Sequence, residues 1–131
     1  MINLKNVVVQ TKSVDVAYPG IPGFVVTIGY VSRATSRKIV ESSKKDVMVN
    51  GAVISVQDDD LFVENFVKSA ILGWKGLTLG DVSKLLLIDA QDLDLDTEVE
   101  FSIDNAVQLM KESVAFDNWI NTVVFQLDSF R

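Results

Sequence analysis

The feature that most restricts what this chain can fold into is its helical patterning between Ser102 and Phe130. Ile103, Ala106, Val107, Met110 and Val114 recur at i, i+3, i+4, i+7 and i+11, which sets them along one face of a 3.6-residue period. Phe116, Trp119, Ile120, Val123, Val124, Leu127 and Phe130 repeat the pattern over about four turns. Ser102 is an N-cap candidate, because its hydroxyl can accept from a free backbone N–H, and Asp104 suits the positive end of the helix dipole. Lys111-Glu112-Ser113 interrupts the stripe and predicts a bend or short loop near Ser113. Amphipathic helices this short do not persist alone in water, so the remaining residues must supply an apolar surface. Trp119, mid-stripe, is expected to be buried.

The first half supplies strand signals. Val7 to Thr11 is rich in β-branched residues and reads as a short strand. Val14, Val16 and Tyr18 alternate with Asp15 and Ala17, and Phe24, Val26, Ile28 and Tyr30 resume the alternation. Between them, Tyr18-Pro19-Gly20-Ile21-Pro22-Gly23 carries two Pro-Gly pairs, in which proline presets φ and glycine accepts positive φ. This predicts two antiparallel strands within Val14–Val31. Ser32 can cap a short helix containing Ala34, Arg37, Lys38 and Val40, although its apolar face is thin. Asn50-Gly51 between Val47-Met48-Val49 and Ala52–Val56 predicts a hairpin with a type I′ turn; the alternative is a loop without order.

Asp58-Asp59-Asp60 reads as an N-cap and acidic first turn rather than a metal site. Leu61, Phe62, Asn65 and Phe66, then Ala70 and Trp74, continue as a helix, with Glu64 and Lys68 at favourable i, i+4 spacing. Thr78-Leu79-Gly80-Asp81 resembles a capping box with Asp in place of Glu, opening a helix through Val82, Leu85 and Leu86. Asp92-Leu93-Asp94-Leu95-Asp96 opens like a calcium loop. That loop requires Gly at its sixth position and Glu at its twelfth, which are Thr97 and Ile103 here. An extended linker with one solvated face is the better reading.

Composition narrows function further. The chain has neither histidine nor cysteine, which removes the commonest neutral-pH acid–base group, thiolate chemistry and disulfides, and every Ser-His or Cys-His pair. Gly73, Gly76 and Gly80 are not spaced as a phosphate loop. No catalytic, cofactor or metal residues are expected, and the chain is read as non-enzymatic. A net charge of −6 argues against general nucleic-acid binding. No apolar run approaches the roughly 20 residues of a membrane span, and no basic, apolar leader opens the chain. The charge is segregated: Arg33, Arg37, Lys38, Lys44 and Lys45 face only Glu41, whereas Asp58 to Asp104 holds twelve acids and three bases, a net of −9. Such blocks are solvated faces by default; the sharper reading is attraction between opposite blocks on neighbouring molecules. The fold class is α+β in a single domain. N-terminal antiparallel strands and hairpins, at about residues 7–56, precede a bundle of about four amphipathic helices at about 58–130.

Three segments, in this order and spacing, resemble the tail assembly chaperones of long-tailed bacteriophages. They are Tyr18-Pro19-Gly20-Ile21-Pro22-Gly23-Phe24 running on to Ser32-Arg33, then Gly73-Trp74-Lys75-Gly76-Leu77, then Phe101-Ser102-Ile103-Asp104-Asn105-Ala106 with Phe116-Asp117-Asn118-Trp119-Ile120. The resemblance covers about Tyr18 to Phe130 and is weakest between Lys44 and Val56. It implies a small cytoplasmic assembly factor, absent from the finished virion, that coats the tape measure protein and presents it to tail tube subunits. Family members commonly self-associate, and many also occur in a longer form made by translational frameshifting. Candidate partner-binding residues are Tyr18, Trp74 and Lys75, the basic Arg33, Arg37 and Lys38, and the acidic Asp92, Asp94 and Asp96. The alternative is a structural virion protein, such as a head–tail completion or minor tail protein.

Overall fold

Alternating apolar residues and tight turns build the central sheet. The computed structural model describes all 131 residues. β1 (Ser13–Ala17) and β2 (Val25–Gly29) pair antiparallel from Ser13↔Gly29 to Ala17↔Val25, as the alternation predicts. The joining loop closes through Tyr18 N–H to the Phe24 carbonyl at 2.9 Å, with Gly20 and Gly23 both near φ +85°. α1 (Arg33–Ser42) starts where Ser32 accepts from the Thr35 N–H at 3.1 Å. β3 (Lys44–Val49) and β4 (Ala52–Gln57) form a separate two-stranded hairpin. Its turn residues, Asn50 and Gly51, take the positive φ values of 51° and 80° that the sequence predicts.

α2 (Asp59–Ala70) begins at the Asp58 cap, whose carboxylate accepts from Leu61 N–H at 3.2 Å, and Lys68 and Glu64 meet at 3.1 Å. The helix expected to run on through Trp74 stops at Ala70. Residues Ile71–Lys75 instead form β5, antiparallel to β2, so the sheet order is β1-β2-β5. The register slips between Thr27↔Gly73 and Ile28↔Ile71, which leaves Leu72 as an extra, exposed residue. The division into a β-rich half and a helical half therefore does not hold for this strand. The apolar run Ile71-Leu72 reads equally as helix or strand, and its pairing with distant β2 decides the matter. The strand expected over Val7–Thr11 also fails to form. A short 3-10 turn occupies Leu4–Asn6 and the next residues run without a ladder partner.

α3 (Leu79–Leu85) has the full capping box: Thr78 Oγ1 accepts from Asp81 N–H, and Asp81 accepts from Thr78 N–H, both at 3.2 Å. α4 (Ile103–Glu112) and α5 (Val114–Val124) meet at Ser113, which closes one helix and caps the next by accepting from Phe116 N–H at 3.1 Å. α5 is shorter than its stripe; Leu127–Phe130 finishes as a 3-10 turn. The helices pack on one another and on the sheet around a single cluster of 19 buried apolar residues. Phe24, Ile28, Ile71, Leu77, Phe116 and Ile120 are its largest fully enclosed members. Full burial of each such side chain is worth about 1.5–3 kcal/mol.

Candidate functional site

A row of aromatic rings crosses the core, and it takes in two of the candidate partner residues. Tyr18 lies 4.8 Å edge-on to Trp119 and 5.6 Å from Phe24, and Phe24 lies 6.0 Å edge-on to Trp74. Trp74 in turn meets Phe101 at 5.1 Å, again edge-on. These separations and tilts suit aromatic quadrupoles. Burial raises the Tyr18 phenol above its ordinary pKa. Trp74 donates its indole N–H to the Val99 carbonyl at 2.9 Å, so Trp74 pins the segment that leads into α4. Both residues are half-buried and packed into the fold. Trp119, expected to be buried, is likewise only half-buried, with the Tyr18 ring edge-on to it and Phe116 at 6.2 Å.

The charged candidates are free. Arg33 and Arg37 stand one turn apart on α1, with Lys38 beside them, all exposed and without an ion-pair partner in the chain. Lys75 is exposed at the end of β5 and also unpaired. Lys44 and Lys45 differ: they reach Glu41 at 3.1 Å and Asp58 at 3.8 Å. Asp92, Asp94 and Asp96 are exposed in a stretch of turns, where Asp92 takes φ 65° and Asp94 accepts from Asp96 N–H at 2.9 Å. No three or more acidic side chains in the chain are grouped to hold a metal ion.

This acidic stretch is anchored rather than loose. Leu79 N–H donates to Thr97 O at 2.8 Å, Gly80 N–H to Leu95 O at 2.9 Å, and Val99 N–H to Leu77 O at 2.8 Å. The approach at position 80 is close: a Cβ there would sit 3.2 Å from the Leu95 carbonyl oxygen, so a larger residue would press on the acidic stretch. Burial pushes the Asp81 carboxyl up. The Thr78 backbone N–H and hydroxyl, with the Lys84 ammonium at 3.5 Å, outweigh that effect and hold it below its usual range. Beside Trp74, residues Leu77, Val82, Leu86, Val99 and Leu109 line a shallow apolar groove of about 210 Å³.

Sequence reasoning marked the β3–β4 hairpin as structure but not as surface. Cross-strand register sets Val47, Val49, Ala52 and Ile54 on one face and Met48 and Val53 on the other. Met48 is 70% exposed and Val53 65%, with Val49 and Ile54 also open. The signal was present in Val47-Met48-Val49 and Ala52-Val53-Ile54. These are consecutive apolar runs that give the hairpin no polar face at its tip.

Comparison with protein-family models, with curated proteins and with solved structures finds no match to this chain. No helix is long and apolar enough to cross a membrane.

Proposed function

We propose that this protein is a tail assembly chaperone of a long-tailed bacteriophage. It binds the tape measure protein in the host cytoplasm, keeps it from aggregating, and helps recruit tail tube subunits. The observation that carries the reading is the character of its exposed surface: an apolar hairpin tip, unpaired Arg33, Arg37 and Lys38 on α1, and an anchored acidic stretch holding Asp92, Asp94 and Asp96. These are adhesive surfaces. A tape measure chain is long, helical and striped with apolar residues, so before assembly it exposes surface prone to aggregate. A small partner masks such surface by binding in many copies, and contact between copies raises the effective concentration of each next one. The basic face of α1 on one molecule and the acidic stretch of another supply such a contact, and salt screens it over a Debye length of about 8 Å at physiological strength.

Coexpression with the cognate tape measure protein tests the reading directly. The tape measure protein should stay in the supernatant with this protein and pellet without it, and purified phage particles should lack this protein. Equal pelleting in both cases overturns the chaperone function. Stoichiometric recovery from particles would favour a structural virion protein instead.

A further inference from the structure

The two segments whose strand-forming sequence goes unanswered in a single molecule are complementary. Val7, Val8 and Val9 are 61%, 54% and 58% exposed; the Val7 and Val8 N–H groups turn back to the Leu4 carbonyl at 3.1 and 3.0 Å and must release it to join a strand, while those of Val9, Gln10 and Thr11 donate no hydrogen bond within the chain. The β3–β4 hairpin, for its part, has only two strands, so each presents one open row of backbone groups. An isolated hairpin is marginal in water and gains from a third strand. We propose that residues 7–11 of one copy add as a third strand to the free edge of β4 in a second copy. This rests on the self-association contained in the chaperone reading and names the surface that carries it.

Charge selects β4 over β3. β3 begins Lys44-Lys45-Asp46, the kind of charged edge that blocks strand addition, whereas Ala52–Gln57 carries no charge. The incoming segment is flanked by Lys5 and Lys12. Against β3 those lysines would approach Lys44 and Lys45, while β4 leads directly into Asp58 and Asp59. The side-chain alternation also fits. Val7 and Val9 extend the face of Val49 and Ile54, and Val8 joins the face of Val53. Donor and acceptor lie on different parts of the same chain, so the contact either closes reciprocally into a two-fold dimer or runs head-to-tail into rings or filaments.

Because the chain has no cysteine, introduced thiols report the contact without background. Val9→Cys and Ile54→Cys proteins, each singly substituted, are mixed and oxidised, and Val8→Cys with Val53→Cys forms a second pair for the neighbouring register. Mixed disulfides should dominate over Ile54→Cys self-pairs. Gln10→Pro, which removes an N–H that a single copy does not use, should cut the mixed product at least tenfold while melting like the parent. Oligomers by light scattering that give only self-paired disulfides, or none, overturn strand addition and leave self-association standing. Monomers alone at low and high salt overturn both. Protection of Ile54→Cys that appears only with coexpressed tape measure protein assigns the edge to that partner and overturns the proposal.

Discussion

The central sheet and the β3–β4 hairpin are both antiparallel and both rich in valine and isoleucine, yet they meet opposite fates. In β2, Val26 and Ile28 are wholly enclosed, because α2 packs on the sheet and Phe116 of α5 stacks 6.4 Å from Phe24. In the hairpin, Met48, Val49, Val53 and Ile54 remain exposed and only Val47 and Val56, towards its base, are half-buried. Strand-forming residues thus make a ladder where a partner strand lies within reach, while burial depends on whether a helix of the chain lies over it. The sheet's apolar residues hold the fold, while Met48, Val49, Val53 and Ile54 of the hairpin stay open to solvent.

The largest effect that sharpens this contrast lies at Phe116. Its ring is fully buried between Tyr18, Phe24 and Trp119. Phe116→Ala should cost about 3–5 kcal/mol, seen as a fall in the urea midpoint at unchanged slope. A loss below about 1 kcal/mol would mean the aromatic row does not organise the core.

Next in size is Gly76. It sits at φ 78°, and a Cβ there would lie 1.9 Å from the Gly23 carbonyl oxygen. Two loops, one before β2 and one after β5, touch backbone to backbone at this point. Gly76→Ala should cost about 2–3 kcal/mol, through left-handed strain and forced separation of the loops. Gly51, also at positive φ, has nothing near its missing Cβ. Gly51→Ala should therefore show the backbone strain without the clash, and the smaller loss of the two. Equal losses would remove the contrast between packed sheet and free hairpin.

Local chemistry was legible throughout. Ser32, Asp58, Thr78 and Ser102 cap the helices their positions predict, the break expected near Ser113 falls there with Ser113 itself capping α5, and Asn50-Gly51 makes its turn. These features depend on neighbours within a few residues, so sequence carries them. The failures share a non-local cause. β5 follows α2 with no proline or glycine between them, and only pairing with β2, more than forty residues earlier, makes it a strand. Val7–Thr11 fails conversely, having strand propensity and no partner. Trp74 is a candidate partner residue by sequence, but its bond to Val99 spans 25 residues and ties it into the fold. The charged candidates were legible as free charges; which of them meet across molecules is a property of an assembly rather than of one chain.

Between the two extremes stands the α3 cap. Thr78→Ala removes an acceptor for Asp81 N–H and should cost about 1 kcal/mol. Asp81 titrates below its ordinary value when folded, so its contribution is complete above the unfolded pKa near 3.9 and is lost as pH falls through the folded value. Asp81→Asn should be less stable than the parent at pH 6 and converge with it below about pH 3. Parallel curves over that range would show that the carboxylate does not hold this helix. The acidic stretch bound to Thr78–Gly80 should loosen in both variants, giving faster amide exchange at Leu79 and Gly80, the residues that donate to it.

The smallest expected effect tests the hairpin itself. Val53→Thr keeps the β-branched shape and places a hydroxyl on a side chain that is 65% exposed in one molecule. In dilute protein it should change stability by no more than about 0.5 kcal/mol, because nothing becomes desolvated or unpaired. At concentrations where copies associate, the same hydroxyl would stand beside Val8 of the added strand in place of a methyl group and weaken that cross-strand contact by about 0.2–1 kcal/mol. The parent's melting temperature should therefore rise with concentration, since a partner that binds only folded protein stabilises it by mass action, and the variant's should rise less. A loss of 1.5 kcal/mol or more that is independent of concentration would mean that Val53 is covered within a single molecule. The hairpin would then be part of the core, and the contrast with the central sheet would disappear.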